Sequence, residues 1–139
     1  MYNFRKNHKG FTLIELMVVV AIIGVLALLG LRVYTGQQEK AKNSVVKANV
    51  GTIQTLIQSE LADTAVSDID LNADIFAKSG IHNPFTGDPQ ETNGDGSTIG
   101  TVQATVQDFD DDGTDDGYTI NGVAGDGNPV YDTNLEAHK

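Results

Sequence analysis

Apolar and polar positions follow two different rules along this chain. From Phe11 to Leu31, twenty-one residues, only Thr12 and Glu15 bear polar side chains, and from Leu16 to Leu31 there is none at all. A run apolar on every side has no face to turn to water, so it belongs in lipid or among other apolar helices. At about 1.5 Å per residue such a run makes a helix of roughly 31 Å, the thickness of a bilayer's hydrocarbon. Further on the pattern narrows to a stripe, in which Val46, Val50, Ile53, Ile57 and Leu61 recur every three or four residues. Lys40, Lys42, Lys47, Gln54 and Gln58 fall on other faces, which predicts an amphipathic helix packing its stripe into a core. Gly51 weakens it only locally.

After Asp63 the signals become short. A linking region reaches Phe76, and Asn83 to Pro89 reads "NPFTGDP", a loop punctuated by Pro and Gly. Thr101 to Gln107 then alternates, with Val102, Ala104 and Val106 on one face and Thr101, Gln103, Thr105 and Gln107 on the other, which predicts a half-buried strand. Tyr118 to Val123 and Pro129 to Thr133 are two more strand candidates, separated by the turn-prone "AGDGN". The expected fold is α+β, a long N-terminal helix packed by its second half against three or four antiparallel strands. The expected divisions are 1–10, a basic leader; 11–32, the spanning segment; 33–63, the amphipathic half of the helix; and 64–139, a β-rich head.

Charge sharpens the division. The chain has 139 residues and a formal net charge of −10. Residues 1–10 carry Arg5, Lys6 and Lys9 and no acid, whereas 17 acids lie from Glu60 onward against Lys78 and Lys139. Basic residues ahead of the apolar run place the N-terminus in the cytoplasm and the acidic body outside. A body so acidic offers no cationic surface for phosphates, which argues against direct nucleic-acid binding. There is no cysteine, so something other than a disulfide holds the loops of an exported domain.

The leader and run admit three readings: a cleaved secretory signal, a plain membrane anchor, and a leader removed on the cytoplasmic side. A secretory signal is cut after its apolar run, but here the small residue, Gly10, precedes it. The stretch Gly10-Phe11-Thr12-Leu13-Ile14-Glu15, between a basic leader and an unbroken apolar helix, resembles the type IV prepilin family, which includes type IV pilins and the pseudopilins of type II secretion. The resemblance covers Lys9 to about Ala62. It implies that a membrane-embedded prepilin peptidase cuts after Gly10 and methylates the amine of Phe11. It also implies that Glu15 meets the N-terminal amine of a neighbouring subunit during assembly. That would repay the few kcal/mol, about 2.5–3.5 at the bilayer centre, that a carboxylate costs in lipid. The alternative for Glu15 is a side chain that snorkels to the interface. Many pilins carry a proline about 22 residues after the cut, and Arg32 stands there instead. Its simplest role is to mark the outer end of the span by snorkelling.

One further stretch carries candidate chemistry. "DFDDDGTDDG" holds six acids, and Asp108, Asp110 and Asp112 followed by Gly113 match the opening of an EF-hand-type calcium loop, with Asp116 at the ninth place. The twelfth place is Thr119 rather than a bidentate Glu, and strands rather than helices flank the loop. The two readings are a calcium loop replacing the missing disulfide, using Asp108, Asp110, Asp112 and Asp116, and a solvated hairpin loop with Asp-Gly turns. No cofactor other than calcium is expected. His8, His82 and His138 stand apart and no nucleophile sits in a catalytic setting, so an enzyme is not expected.

The functional expectation is therefore a structural subunit of a type IV pilus. It would be held in the cytoplasmic membrane before assembly and then polymerised with identical subunits by the pilus machinery into an extracellular filament for adhesion, motility or DNA uptake. The alternatives are a type II secretion pseudopilin and a monomeric membrane-anchored binding protein.

Overall fold

The structure is a computed structural model that describes residues 10–138; the leader residues 1–9 lie outside the described part. Helix α1 runs Leu13–Leu61, 49 residues, and contributes to two units that divide between Gln37 and Gln38.

In the first unit α1 is long and apolar enough to cross a membrane. None of its described residues is buried, and its large apolar side chains, from Phe11 to Tyr34, are all more than half exposed. Gly24 and Gly30 do not break the helix.

In the second unit the stripe behaves as the spacing predicts. Val46, Val50, Ile53, Ile57 and Leu61 are all buried. After α1 come a 3₁₀ turn, Val66–Asp68, and a π-helical turn, Leu71–Phe76, that continues into α2, Ala77–Ser79. Asp70 caps the π turn by accepting from the amides of Asn72 and Ala73, and Gly80, in the left-handed region at φ 64°, ends α2. These turns stand where the sequence reads only as a linker, and they bury Ile75 and Phe76 in the core.

Three antiparallel strands follow in the order β1-β2-β3: β1 Val102–Gln107, β2 Gly117–Gly122 and β3 Leu135–His138. Val102 pairs with Gly122, Ala104 with Ile120, and Val106 with Tyr118. Val102, Ala104, Tyr118, Ile120 and Ala137 face the α1 stripe within one core. Gly122 lets the sheet approach the helix, because a Cβ there would stand 2.5 Å from Val46 Cγ1. The enclosed Tyr118 hydroxyl donates to the Val66 carbonyl at 2.9 Å, so its burial leaves no orphaned polar atom.

Two strand expectations need correction. Val106 alternates with Ala104 in sequence but is 45% exposed, because it lies at the loop end of the hairpin, past the buried positions of β1. Pro129 to Thr133 is not a strand. Pro129 makes only an isolated bridge to Val123, and the next residues bind a side chain rather than a neighbouring strand, with Tyr131 donating to Asn121 Oδ1 and accepting from Asn121 Nδ2. The third strand begins two residues beyond Thr133, in "LEAH", and pairs with β2 from Gly117↔His138 to Ile120↔Leu135.

Candidate functional sites at the helix start and in the acidic loop

The start of α1 is built by Thr12. Its Oγ accepts from the Glu15 amide at 3.3 Å, while Glu15 Oε2 accepts from the Thr12 amide and from the Thr12 hydroxyl, both at 2.9 Å. This is a capping box, in which residue and helix start satisfy each other's orphan donors. The signal was present in the sequence as Thr-x-x-Glu ahead of an apolar run, and Thr12 is the residue that reading the motif alone passes over. Glu15 also places a negative charge in the first turn, where the helix dipole favours it.

Gly10 to Thr12 are not helical, and Phe11 is 91% exposed. The bond between Gly10 and Phe11 is therefore presented outside the helix, the state in which a peptidase can grip a backbone. A Cβ on Gly10 would meet nothing within 4 Å among the described residues.

The acidic loop joins β1 to β2. Asp116 closes it by donating its amide to the Gln107 carbonyl at 3.2 Å. Each of three carboxylates takes one backbone amide with one of its oxygens: Asp108 Oδ2 from Gly113 at 2.9 Å, Asp110 Oδ1 from Asp112 at 3.2 Å, and Asp116 Oδ1 from Phe109 at 2.9 Å. Asp111 and Gly113 turn the chain in the left-handed region, at φ 59° and 89°. The result is that Asp108, Asp110 and Asp116 bring ligand oxygens within 4.8 Å of one another. Asp112 lies outside that group, its Oδ1 accepting from both the amide and the hydroxyl of Thr114. Those bonds hold the Asp112 carboxyl below the usual carboxylate range. Asp110 is shifted the other way. The Asp112 amide lowers it, but partial desolvation and the charges of Asp112, Asp116 and Asp108 outweigh that bond and raise it.

One atom in the loop stands out: Asp108 Oδ1 is shut away from solvent and has no hydrogen-bond partner. Three hard oxygen donors this close, on carboxylates one of which also has an enclosed and unpartnered oxygen, fit a calcium ion, whose ligands at about 2.3–2.6 Å lie up to roughly 5 Å apart. Thr119, at the twelfth place of the motif, belongs to β2 and shares a 2.7 Å hydrogen bond with Thr105. His138 does not join the carboxylates but stacks on Phe109, ring centroids 5.1 Å apart.

Residues 5–31 match the family model described as the prokaryotic N-terminal methylation motif. Among curated proteins, the chain is 37% identical over 87 residues to a fimbrial protein of Eikenella corrodens, covering 63% of this chain and 55% of that one. It is 43% identical over 60 residues to a type IV major fimbrial protein of Dichelobacter nodosus, covering 43% and 38%. A type IV major pilin protein of Myxococcus xanthus is 43% identical over 56 residues, covering 40% and 26%. The chain thus spans about half or less of the length of these relatives. No solved structure matches.

Proposed function

We propose that this chain, a type IV pilin by its N-terminal segment, is a structural subunit that polymerises with identical copies into a surface filament. The observation that carries the reading is the first unit: an apolar helix with no buried residue, begun by a capped carboxylate at Glu15. Such a helix is satisfied only inside lipid or inside a bundle of its own kind. Lipid is the state before assembly and the bundle the state after it, which gives the cytoplasmic membrane and then the extracellular filament as successive locations. A prepilin peptidase would release residues 1–10 and methylate Phe11. Because no described residue crowds position 10, a demand for glycine there would come from that enzyme's own site.

Glu15 is then a carboxylate with two successive partners. Before assembly its own Thr12 satisfies it; on joining the filament it would pair with the new amine of a neighbour's Phe11. Desolvated charge pairs form strongly and leave a large penalty when one member is missing, so the pair selects processed, correctly staggered subunits. The test is intact mass spectrometry of filaments sheared from cells at native expression. A chain beginning at Phe11 and carrying one methyl group, abundant in the sheared fraction, is the expected result. The same mass confined to the envelope would point to a pseudopilin, and an uncut mass would overturn the assignment of Gly10 and Glu15.

The acidic loop supports a second, separate proposal, carried by the enclosed and unpartnered Asp108 Oδ1. Asp108, Asp110 and Asp116 would hold a calcium ion, neutralising their mutual repulsion and bracing the β1–β2 hairpin in a chain without disulfides. Calorimetric titration of the intact protein with calcium should give saturable heat that Asp108→Asn abolishes. No heat and no melting shift at millimolar calcium would leave the loop a solvated turn.

A further inference from the structure

The three-stranded sheet has two outer edges, and side-chain carboxamides occupy both. Along β1 the residues whose backbone groups point away from β2 are Val102, Ala104 and Val106. At Val102, Gln90 stands in for a strand: its Oε1 accepts from the Val102 amide at 2.9 Å and its Nε2 donates to the Val102 carbonyl at 2.6 Å, a carbonyl that the Gly94 amide also reaches at 3.0 Å. Asn93 repeats the arrangement one step along, with Oδ1 accepting from the Ala104 amide and Nδ2 donating to the Ala104 carbonyl, both at 2.8 Å. Gln90 is buried, an unusual place for a carboxamide unless its bonds are made. Across the sheet, Gln54 and Gln58, one turn apart on α1, donate to the carbonyls of Glu136 at 2.8 Å and His138 at 3.0 Å. Val106 is the one outward position of β1 that no side chain covers among the described residues, and it adjoins the acidic loop.

An uncovered strand edge is a template for another strand, and proteins close such edges in several ways. Here a primary carboxamide supplies one donor and one acceptor at nearly the spacing of a peptide group, so it can copy the bonds of a neighbouring strand without offering an edge of its own. We propose that Gln90 and Asn93, with Gln54 and Gln58 on the far side, close the sheet against strand addition. The head is thereby kept from pairing with the head of another copy through its sheet. The proposal goes beyond the filament reading and does not depend on it, since edge closure matters for any chain displayed at high local density. The partner it excludes is an extended segment, above all β1 of a second copy.

The test uses the full chain in detergent micelles and a fluorescently labelled peptide of sequence TVQATVQ, copying residues 101–107. In the unaltered protein, hydrogen exchange at the Val102 and Ala104 amides should be at least tenfold slower than at Val106. The variant Gln90→Ala/Asn93→Ala should bind the peptide at least tenfold more tightly than the parent by fluorescence anisotropy. Asn93→Ala alone opens only Ala104 and leaves the buried Gln90 in place, so it serves should the double variant lose its fold, and it should show the same effect more weakly. Exchange at Val102 and Ala104 as fast as at Val106 would overturn the proposal. So would a folded Asn93→Ala protein whose peptide binding equals that of the parent.

Discussion

The first and second halves of α1 both carry large aliphatic side chains and hold them in opposite ways. Leu26 in the first half is 62% exposed, whereas Ile53 in the second is fully buried by the strands and turns that follow it in the chain. The second half is paid for within the molecule: each buried Ile or Leu contributes about 1.5–3 kcal/mol. The first half has no such return from its own chain. Nor do apolar contacts alone choose between lipid and a neighbouring helix, because lipid tails are as apolar as leucine. On the proposed reading, selectivity within the apolar run from Phe11 to Leu31 would come from its two polar side chains, Thr12 and Glu15. The chain thus separates a part that packs a core of its own from a part whose apolar surface stays uncovered, and on the proposed filament reading each can be perturbed without the other.

Glu15→Ala should make the largest break. On the proposed pairing it would leave a neighbour's amine desolvated and without a partner, so the sheared filament fraction should fall more than tenfold. The melting of the second unit should not move, since the bonds Glu15 makes are to Thr12 of its own unit. Thr12→Val removes the cap but keeps the carboxylate and should cost only about 0.5–2 kcal/mol at the helix start. Equal filament yields from Glu15→Ala and the parent, measured by immunoblot of sheared material, would remove Glu15 from assembly.

Ile53→Ala strikes the other half. A fully buried side chain truncated in a packed core costs about 2–5 kcal/mol, and denaturant unfolding of the detergent-solubilised chain should show it. Leu26→Ala, the same kind of truncation on the exposed stretch, should leave that transition where it was. A shared loss would mean that the two halves do not divide as described.

Glycine gives a finer comparison, because one substitution should change sign between the halves. Gly122→Ala drives a Cβ to 2.5 Å from Val46 Cγ1 and 3.0 Å from Val50 Cγ2, and overpacking of this kind costs about 1–3 kcal/mol. Gly24→Ala meets nothing within 4 Å and should favour the helix by up to about 1 kcal/mol. Circular dichroism melts of the two variants in one detergent would read both signs.

These contrasts also mark what the sequence discloses. A helix announces itself through period alone, so the stripe from Val46 to Leu61 was legible in full, as was the all-round apolarity before it. β1 and β2 were legible to within a residue because alternation and β-branched residues mark them. β3 was not, for "LEAH" has no strand character of its own and is held by pairing with β2 and by Gln54 and Gln58, residues about 80 positions away. The same non-local cause hid the roles of Gln90 and Asn93. In the acidic loop the composition was plain. Which carboxylates converge was not, since the Thr114 hydroxyl and amide claim Asp112 and leave Asp116 to join Asp108 and Asp110.

The smallest effect concerns pH, and it sets two kinds of acidic turn against each other within the second unit. Asp95 accepts from the amides of Ser97 and Thr98, and those bonds push its carboxyl well below its ordinary value. Asp126, through Asn128, is lowered in the same way. A depressed carboxyl stabilises the folded state above its unfolded value, near 3.8, and that stability drains away as pH falls through the lower, folded value. Asp110 is raised, so its contribution runs oppositely: it is fully present below the unfolded value and is lost as pH rises through the folded one. Acidification from neutral pH should therefore first raise the melting temperature slightly, as Asp110 takes up its proton, and then lower it below about pH 4 as the Asx turns lose their acceptors. Asp110→Asn should flatten the first limb and spare the second, while Asp95→Asn should weaken the second and spare the first. If calcium occupies the loop, adding it should also erase the first limb, because a bound cation offsets the carboxylate repulsion that raises Asp110.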